Sequence, residues 1–228
     1  MRPLLILFLI GAFACCNQHD YDLAGKHKAE NVNPSKVNAI TLKQDQIAST
    51  TDSLVWEIES KQPGLQIRFY VNKNQNKLDS INIFSGDVTM QHISAKKEIW
   101  STEFKLVDWN FDGFQDITVL YNRGSGGASY WIWNYNVKTG KYDYNQELSE
   151  KIGLEIDNQS KYIVFHYRAG YAEENWDTMT YRNNKLNFVK GCFQERWNSQ
   201  DGKRWIKFTR KKSINNILIT TMDSIEEK

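Results

Sequence analysis

The stretch Phe104-Lys105-Leu106-Val107-Asp108-Trp109-Asn110-Phe111-Asp112-Gly113-Phe114-Gln115-Asp116-Ile117-Thr118-Val119-Leu120-Tyr121 sets an oxygen-rich loop between two apolar flanks. Counted from Asp108, side-chain oxygens fall at positions 1, 3, 5 and 9 (Asp108, Asn110, Asp112, Asp116), and the carbonyl of Phe114 falls at position 7. Calcium is a hard cation that takes six to eight oxygens, and this spacing wraps one. Gly113 at position 6 permits the sharp bend such a loop needs. The flanks carry β-branched and aromatic residues without helical spacing, so the expectation is a strand, a calcium loop and a second strand.

Position 12, where the helical calcium hand places a bidentate Glu, is Val119. Two other readings of the loop stand beside the metal. In one it is an Asx-rich turn whose carboxylates accept local backbone N–H groups. In the other it is a catalytic carboxylate pair, for which no acid/base partner of different environment is nearby. Crowding three carboxylates into nine residues favours the cation, because like charges repel without one.

The chain opens with Arg2, an apolar run from Leu4 to Ile10, and Gly11-Ala12-Phe13-Ala14-Cys15-Cys16. The apolar core is too short to span a bilayer permanently, so residues 1–16 read as a secretory signal. Small residues ending in Cys resemble a bacterial lipobox, with Cys15 or Cys16 as the acylated residue and an ordinary cleaved leader as the alternative. Stable anchoring would follow from two or more acyl chains. Residues 17–52 are polar and read as a tether carrying His19 and His27, with Val37 to Ala48 able to form one short element. Of three cysteines only Cys192 lies beyond the leader, which excludes a disulfide framework and suits a small buried hydrophobe.

From Ser53 onward the pattern has period two and forms one domain of ~170 residues, ample for a core. Leu54–Glu59 and Leu65–Val71 flank Pro63-Gly64, and Leu78–Phe84 runs through Ser85-Gly86-Asp87 into Val88–Ile93. Ala128–Tyr135 and Lys141–Tyr144 flank Lys138-Thr139-Gly140, and Asn183-Asn184 separates the next pair of strands. Only Glu147 to Lys151 looks helical. Twelve or more short strands imply an all-β antiparallel meander, irregular and propeller-like, with a β-sandwich as the alternative. Eight Trp and eleven Tyr suit the packed faces of such sheets.

No GxSxG, HExxH, phosphate-loop or CxxC motif occurs beyond the leader, so no enzyme is expected. His92 and His166 lie in strands, where a satisfied imidazole is the ordinary case. A formal charge of +2, from 29 Lys and Arg against 27 Asp and Glu, argues against nucleic acid as a partner. The basic run Lys203 to Lys212 reads as a solvated edge strand.

Two segments are candidate recognition loops. Tyr121-Asn122-Arg123-Gly124-Ser125-Gly126-Gly127-Ala128-Ser129-Tyr130 reads as a mobile glycine segment on a base pinned by the metal. His166 to Trp176, with Arg168 and Tyr171, is rich in the Tyr, Arg and Trp of binding hot spots. The partner-binding set is therefore Tyr121, Arg123, Ser125, Tyr130, Arg168 and Tyr171. The alternative is that both are hairpin tips whose aromatics cover the sheet.

The calcium segment, the Gly-rich loop, Tyr130-Trp131-Ile132-Trp133-Asn134-Tyr135 with Lys138 to Tyr142, and Thr180 to Val189 together resemble a family of secreted bacterial β-propeller-like lipoproteins. Better understood members inhibit lysozyme-type effectors of rival bacteria in the periplasm. The calcium segment also resembles single FG-GAP and integrin-type repeats. The resemblance spans Phe104 to Val189 and implies Ca2+ on Asp108, Asn110, Asp112, Phe114 and Asp116, no catalysis, and a protein partner met through loops. The expectation is an outer-membrane lipoprotein facing the periplasm that binds a cell-wall hydrolase. A glycan-binding surface lipoprotein using Trp and Tyr platforms is the rival.

Overall fold

Alternation of buried and exposed side chains builds most of this chain into hairpins, as in Leu65–Asn72, where Ile67, Phe69 and Val71 point inward and their neighbours outward. The structure is a computed structural model that describes residues 45–50, 52–62, 64–182 and 185–227. The leader with Cys15 and Cys16, most of the 17–52 tether, Pro63 and the Asn183-Asn184 turn lie outside the described residues.

The fold is all-β, in three open antiparallel meanders that follow one another along the chain. The first sheet holds β1 (Asp45–Ser49), β2 (Ser53–Glu59), β3 (Leu65–Asn72), β4 (Lys77–Ser85) and β5 (Val88–Glu98). It begins ahead of Ser53, since β1 pairs with β2 through Asp45↔Glu57 to Ser49↔Leu54. The second sheet holds β6 (Phe104–Val107), β7 (Asp116–Gly124), β8 (Gly127–Asn136) and β9 (Lys141–Tyr144). One helical turn, α1 (Gln146–Ser149), is capped by the Asn145 side chain, which accepts from Leu148 N at 3.0 Å. The third sheet holds β10 (Leu154–Asp157), β11 (Tyr162–Ala169), β12 (Glu173–Arg182), β13 (Lys185–Asn198), β14 (Arg204–Ile214) and β15 (Ile217–Glu226).

The second sheet is central because both its faces are covered. Ile117, Val119 and Trp133 join Ile58, Ile67, Phe69 and Phe104 in one core, with the Phe69 and Phe104 rings stacked at 4.2 Å. Ile132 joins Trp109, Leu148, Leu154, Ile163 and Phe165 in another. This double burial explains why Ile117 to Leu120 reads as a continuous run rather than an alternation. Each such side chain contributes about 1.5–3 kcal/mol.

The third sheet divides along its length. β10, β11 and part of β12 pack through Leu154, Ile163, Phe165 and Met179 on the second core. β14 and β15 carry no buried residue, and Ile217, Leu218 and Met222 are well exposed.

Candidate functional site

The Asp-rich loop joins β6 to β7 as a series of bends, with Phe111 at φ 60° and Gly113 at φ 91°. Its carboxylates hold the loop's own backbone. Asp108 accepts from Asp112 N (Oδ1, 3.1 Å) and Gly113 N (Oδ2, 2.9 Å), Asn110 Oδ1 from Asp112 N (3.2 Å), and Asp112 Oδ1 from Phe114 N (2.9 Å). The Asn110 amide donates to Asp112 Oδ2 at 2.8 Å.

Asp116 stands apart from its neighbours. It is fully buried, and its two oxygens accept Trp109 N and Tyr135 N, each at 2.9 Å. It thus ties the loop's entrance to β8 across the start of β7. Burial pushes its carboxyl up to about 7, against the pull of those two amides. Burial also raises Asp108, and the neighbouring Asp112 charge adds to the rise. Further contacts hold the loop on three sides. Buried Trp109 donates Nε1–H to Thr118 Oγ1 at 2.8 Å, Phe114 stacks on Tyr135 at 5.4 Å, and Gln62 donates to the Gln115 carbonyl at 2.9 Å.

The donor chemistry suits a hard cation. An ionised carboxylate offers about four lone-pair sites, and the two amides on Asp108 occupy only part of them. Asp116 likewise accepts one amide on each oxygen and keeps lone pairs beyond them, so it differs from Asp108, Asn110, Asp112 and the Phe114 carbonyl in its burial rather than in its capacity. Among the described residues no three His, Cys, Asp or Glu side chains gather as a ready metal cluster.

The glycine segment after β7 differs from its expected form. β7 runs through Gly124 and β8 starts at Gly127, so the connection is the two-residue turn Ser125-Gly126, not a long mobile loop. The glycines are there for close approach. A Cβ on Gly127 would sit 2.6 Å from the Gly153 Cα, and one on Gly153 would sit 1.7 Å from the His166 carbonyl oxygen. One on Gly126 would meet the Arg168 carbonyl at 3.2 Å and the Tyr167 ring at 3.4 Å. Gly153 N donates to the Ala128 carbonyl at 2.7 Å, and His166 N donates to the Gly153 carbonyl at 2.9 Å. Three backbones therefore meet at van der Waals distance where the second and third sheets join.

This junction brings together residues from both recognition segments. The Ser125-Gly126 tip lies against Tyr167 and Arg168, with Arg123, Ser125, Arg168 and Tyr171 exposed. Arg123 pairs with Glu103 at 3.4 Å, Arg168 donates to the Gly170 carbonyl at 3.1 Å, and the Arg196 guanidinium lies 5.1 Å from the Tyr171 ring centre. Two residues go elsewhere. Tyr130 packs on the second core near Trp109, and Tyr121 is half-buried and stacked on Trp131 at 4.0 Å. The Lys97 ammonium covers Trp131 and Tyr144 at 4.3 and 4.8 Å, and Trp100 is exposed. His166 is satisfied, with Nε2 3.2 Å from Glu174 and its ring stacked on Trp176.

Gly153 is the residue sequence reasoning missed, and Tyr167 reads only as part of the His166 to Trp176 segment. A lone glycine just after a helical turn was the available sign for the first. Beside the Asp-rich loop lies a cleft of about 660 Å3 lined by Asn110, Asp112, Asn136, Asp143, Tyr144 and Tyr181 among others.

No family model matches the chain, and no curated protein matches it. Among solved structures, a Xanthomonas Type IV Secretion System related protein is similar at 13% identity and TM-score 0.47, covering 79% of this chain and 95% of that one. At that identity and score it bears on neither function nor site.

Proposed function

We propose that this chain is a membrane-anchored, calcium-binding, non-catalytic lipoprotein that binds and blocks a peptidoglycan hydrolase in the periplasm. The observation that carries the reading is the meeting of the two hairpins, where Gly126 and Gly127 approach the facing backbone too closely for a side chain and brace exposed Arg123 and Ser125 on one hairpin and Arg168 on the other, with exposed Tyr171 further along the second. Rigid tips suit insertion into a partner's cleft, because little ordering entropy is lost on binding. Glycosidases of this class work with carboxylates in such a cleft, and an arginine is the natural bidentate partner for them. In this reading calcium is structural. Asp108, Asn110, Asp112, Asp116 and the Phe114 carbonyl hold it, and it neutralises their crowded charge. The lipid anchor on Cys15 or Cys16 keeps the domain at the outer membrane.

The test is inhibition of a purified muramidase, with the double variant Arg123→Ala/Arg168→Ala measured alongside wild type. Loss of inhibition with an unchanged melting curve is the expected result. Inhibition that survives both changes, or no inhibition by wild type, overturns the reading.

The cleft beside the Asp-rich loop favours glycan capture as a second reading. Its amides, carboxylates and tyrosines are groups that hydrogen-bond and stack on sugars. Retention on peptidoglycan that is lost in Asp143→Ala and kept in the arginine double variant would select it.

A further inference from the structure

The longest regular sheet edge among the described residues is β15, ten residues paired to β14 from Trp205↔Glu226 to Ile214↔Ile217 with no register shift. Open edges are ordinarily blunted by shortness, bulges, charge or cover. The other edges follow that rule. β1 has five residues and a register shift, while β6, β9 and β10 have four each. β5 is long, but it is shifted twice against β4, carries Lys96 and Lys97, and is tied to β9 by paired hydrogen bonds between the Gln91 side chain and the Tyr142 backbone. By contrast β15 begins Ile217-Leu218-Ile219-Thr220-Thr221-Met222, uncharged throughout, with Ile217 66%, Leu218 55% and Met222 68% exposed.

The backbone groups on that edge can be identified. Glu227 N donates to the Arg204 carbonyl at 2.9 Å, so odd-numbered residues of this unbroken strand turn their N–H and C=O toward β14. Leu218, Thr220, Met222 and Ser224 therefore present theirs outward.

We infer that β15 is a self-pairing edge, and that two copies of this chain join antiparallel across a two-fold axis at Thr220. The third sheet then continues from one protomer into its partner. An isologous contact of this kind needs a strand complementary to itself when reversed. In this register the outward groups of Thr220 meet those of its own copy, and Leu218 meets Met222 on the same face, twice by symmetry. Charge selects the antiparallel sense. Asp223 then lies opposite the uncharged Ile217, whereas parallel pairing sets Asp223 beside Asp223 and Glu226 beside Glu226. The acidic end of one copy also approaches the half of the other that is backed by Lys211 and Lys212, which pair with Thr220 and Ile219.

Sedimentation equilibrium of the full chain in non-ionic detergent tests this, with Thr220→Pro and Thr220→Lys as variants. Proline at 220 removes an outward N–H and no bond to β14, so the monomer's far-UV spectrum should be unchanged. The expected result is a dimer for wild type and a monomer for both variants. A monomeric wild type overturns the inference. So does a dimer that persists in both variants, which would locate the contact elsewhere. A monomer whose Leu218, Thr220 and Met222 amides resist hydrogen exchange would also overturn it, because another segment would then cover the edge.

Discussion

The Asp-rich loop and the glycine hairpin that follows it on β7 are both held rigid, by opposite means. The first is rich in polar side chains, and its shape comes from carboxylates and an amide accepting backbone N–H groups within Asp108 to Asp116. The second has almost no side chain to use, and its shape comes from backbones that touch at Gly126, Gly127 and Gly153. One is stabilised by electrostatics, so its stability should depend on pH and, in the proposed reading, on calcium. The other is stabilised by the absence of atoms and answers only to volume.

Filling the glycine contact should have the largest effect. Gly153→Ala places a methyl 1.7 Å from the His166 carbonyl oxygen at a backbone φ of +67°. Overpacking and left-handed strain together should cost about 3–5 kcal/mol, read as a fall in denaturant midpoint, with no dependence on calcium. Asp116→Ala should come next. It strands the buried Trp109 and Tyr135 amides but also removes a carboxyl that burial disfavours, at a net cost of about 1–3 kcal/mol. A variant of near wild-type stability would show that Asp116 is not the pin between the loop and β8.

Cation removal separates the two regions. Melting in calcium and then in EGTA should lower the wild-type midpoint, by about 2.7 kcal/mol equivalent if calcium stood at 100 times its dissociation constant. Asp112→Ala should abolish the difference, whereas the glycine variant should keep it. An identical melt in both buffers leaves the loop as an Asx-rich turn.

The pH dependence is smaller and has a definite sign. The folded carboxyl of Asp116 sits at about 7, above its ordinary 3.8, so the folded state holds its proton more tightly than the unfolded chain. In EGTA this contribution to stability is full below about 3.8 and is lost as pH rises to about 7. Asp116→Asn should remove that slope, measured as denaturant midpoint against pH. Calcium should flatten it in wild type, because a nearby cation favours the ionised form.

Most strands were legible because alternation is a local signal that one-sided burial imposes. β3 and β4 follow it, and the turn glycines at 86 and 140 carry positive φ. The Asp-rich loop was legible for the same reason, since most of its donors and acceptors lie within nine residues. β10 and the far half of β13 were not, and β1 reads only as part of one short element over Val37 to Ala48. Their partners are chosen by sheet context, and β10 and its surroundings are too polar to stand out.

By itself the sequence determined the all-β class, the succession of hairpins and the polar loop between β6 and β7, because each depends on neighbours along the chain. Only the tertiary structure decided that β7 is covered on both faces and that Tyr130 turns inward while Tyr121 stacks on Trp131. It also decided that the glycines serve contact rather than motion. Burial on a second face and close backbone approach depend on residues such as Ile67, Gly153 and His166, which are distant in sequence, and no local pattern encodes which of them will meet.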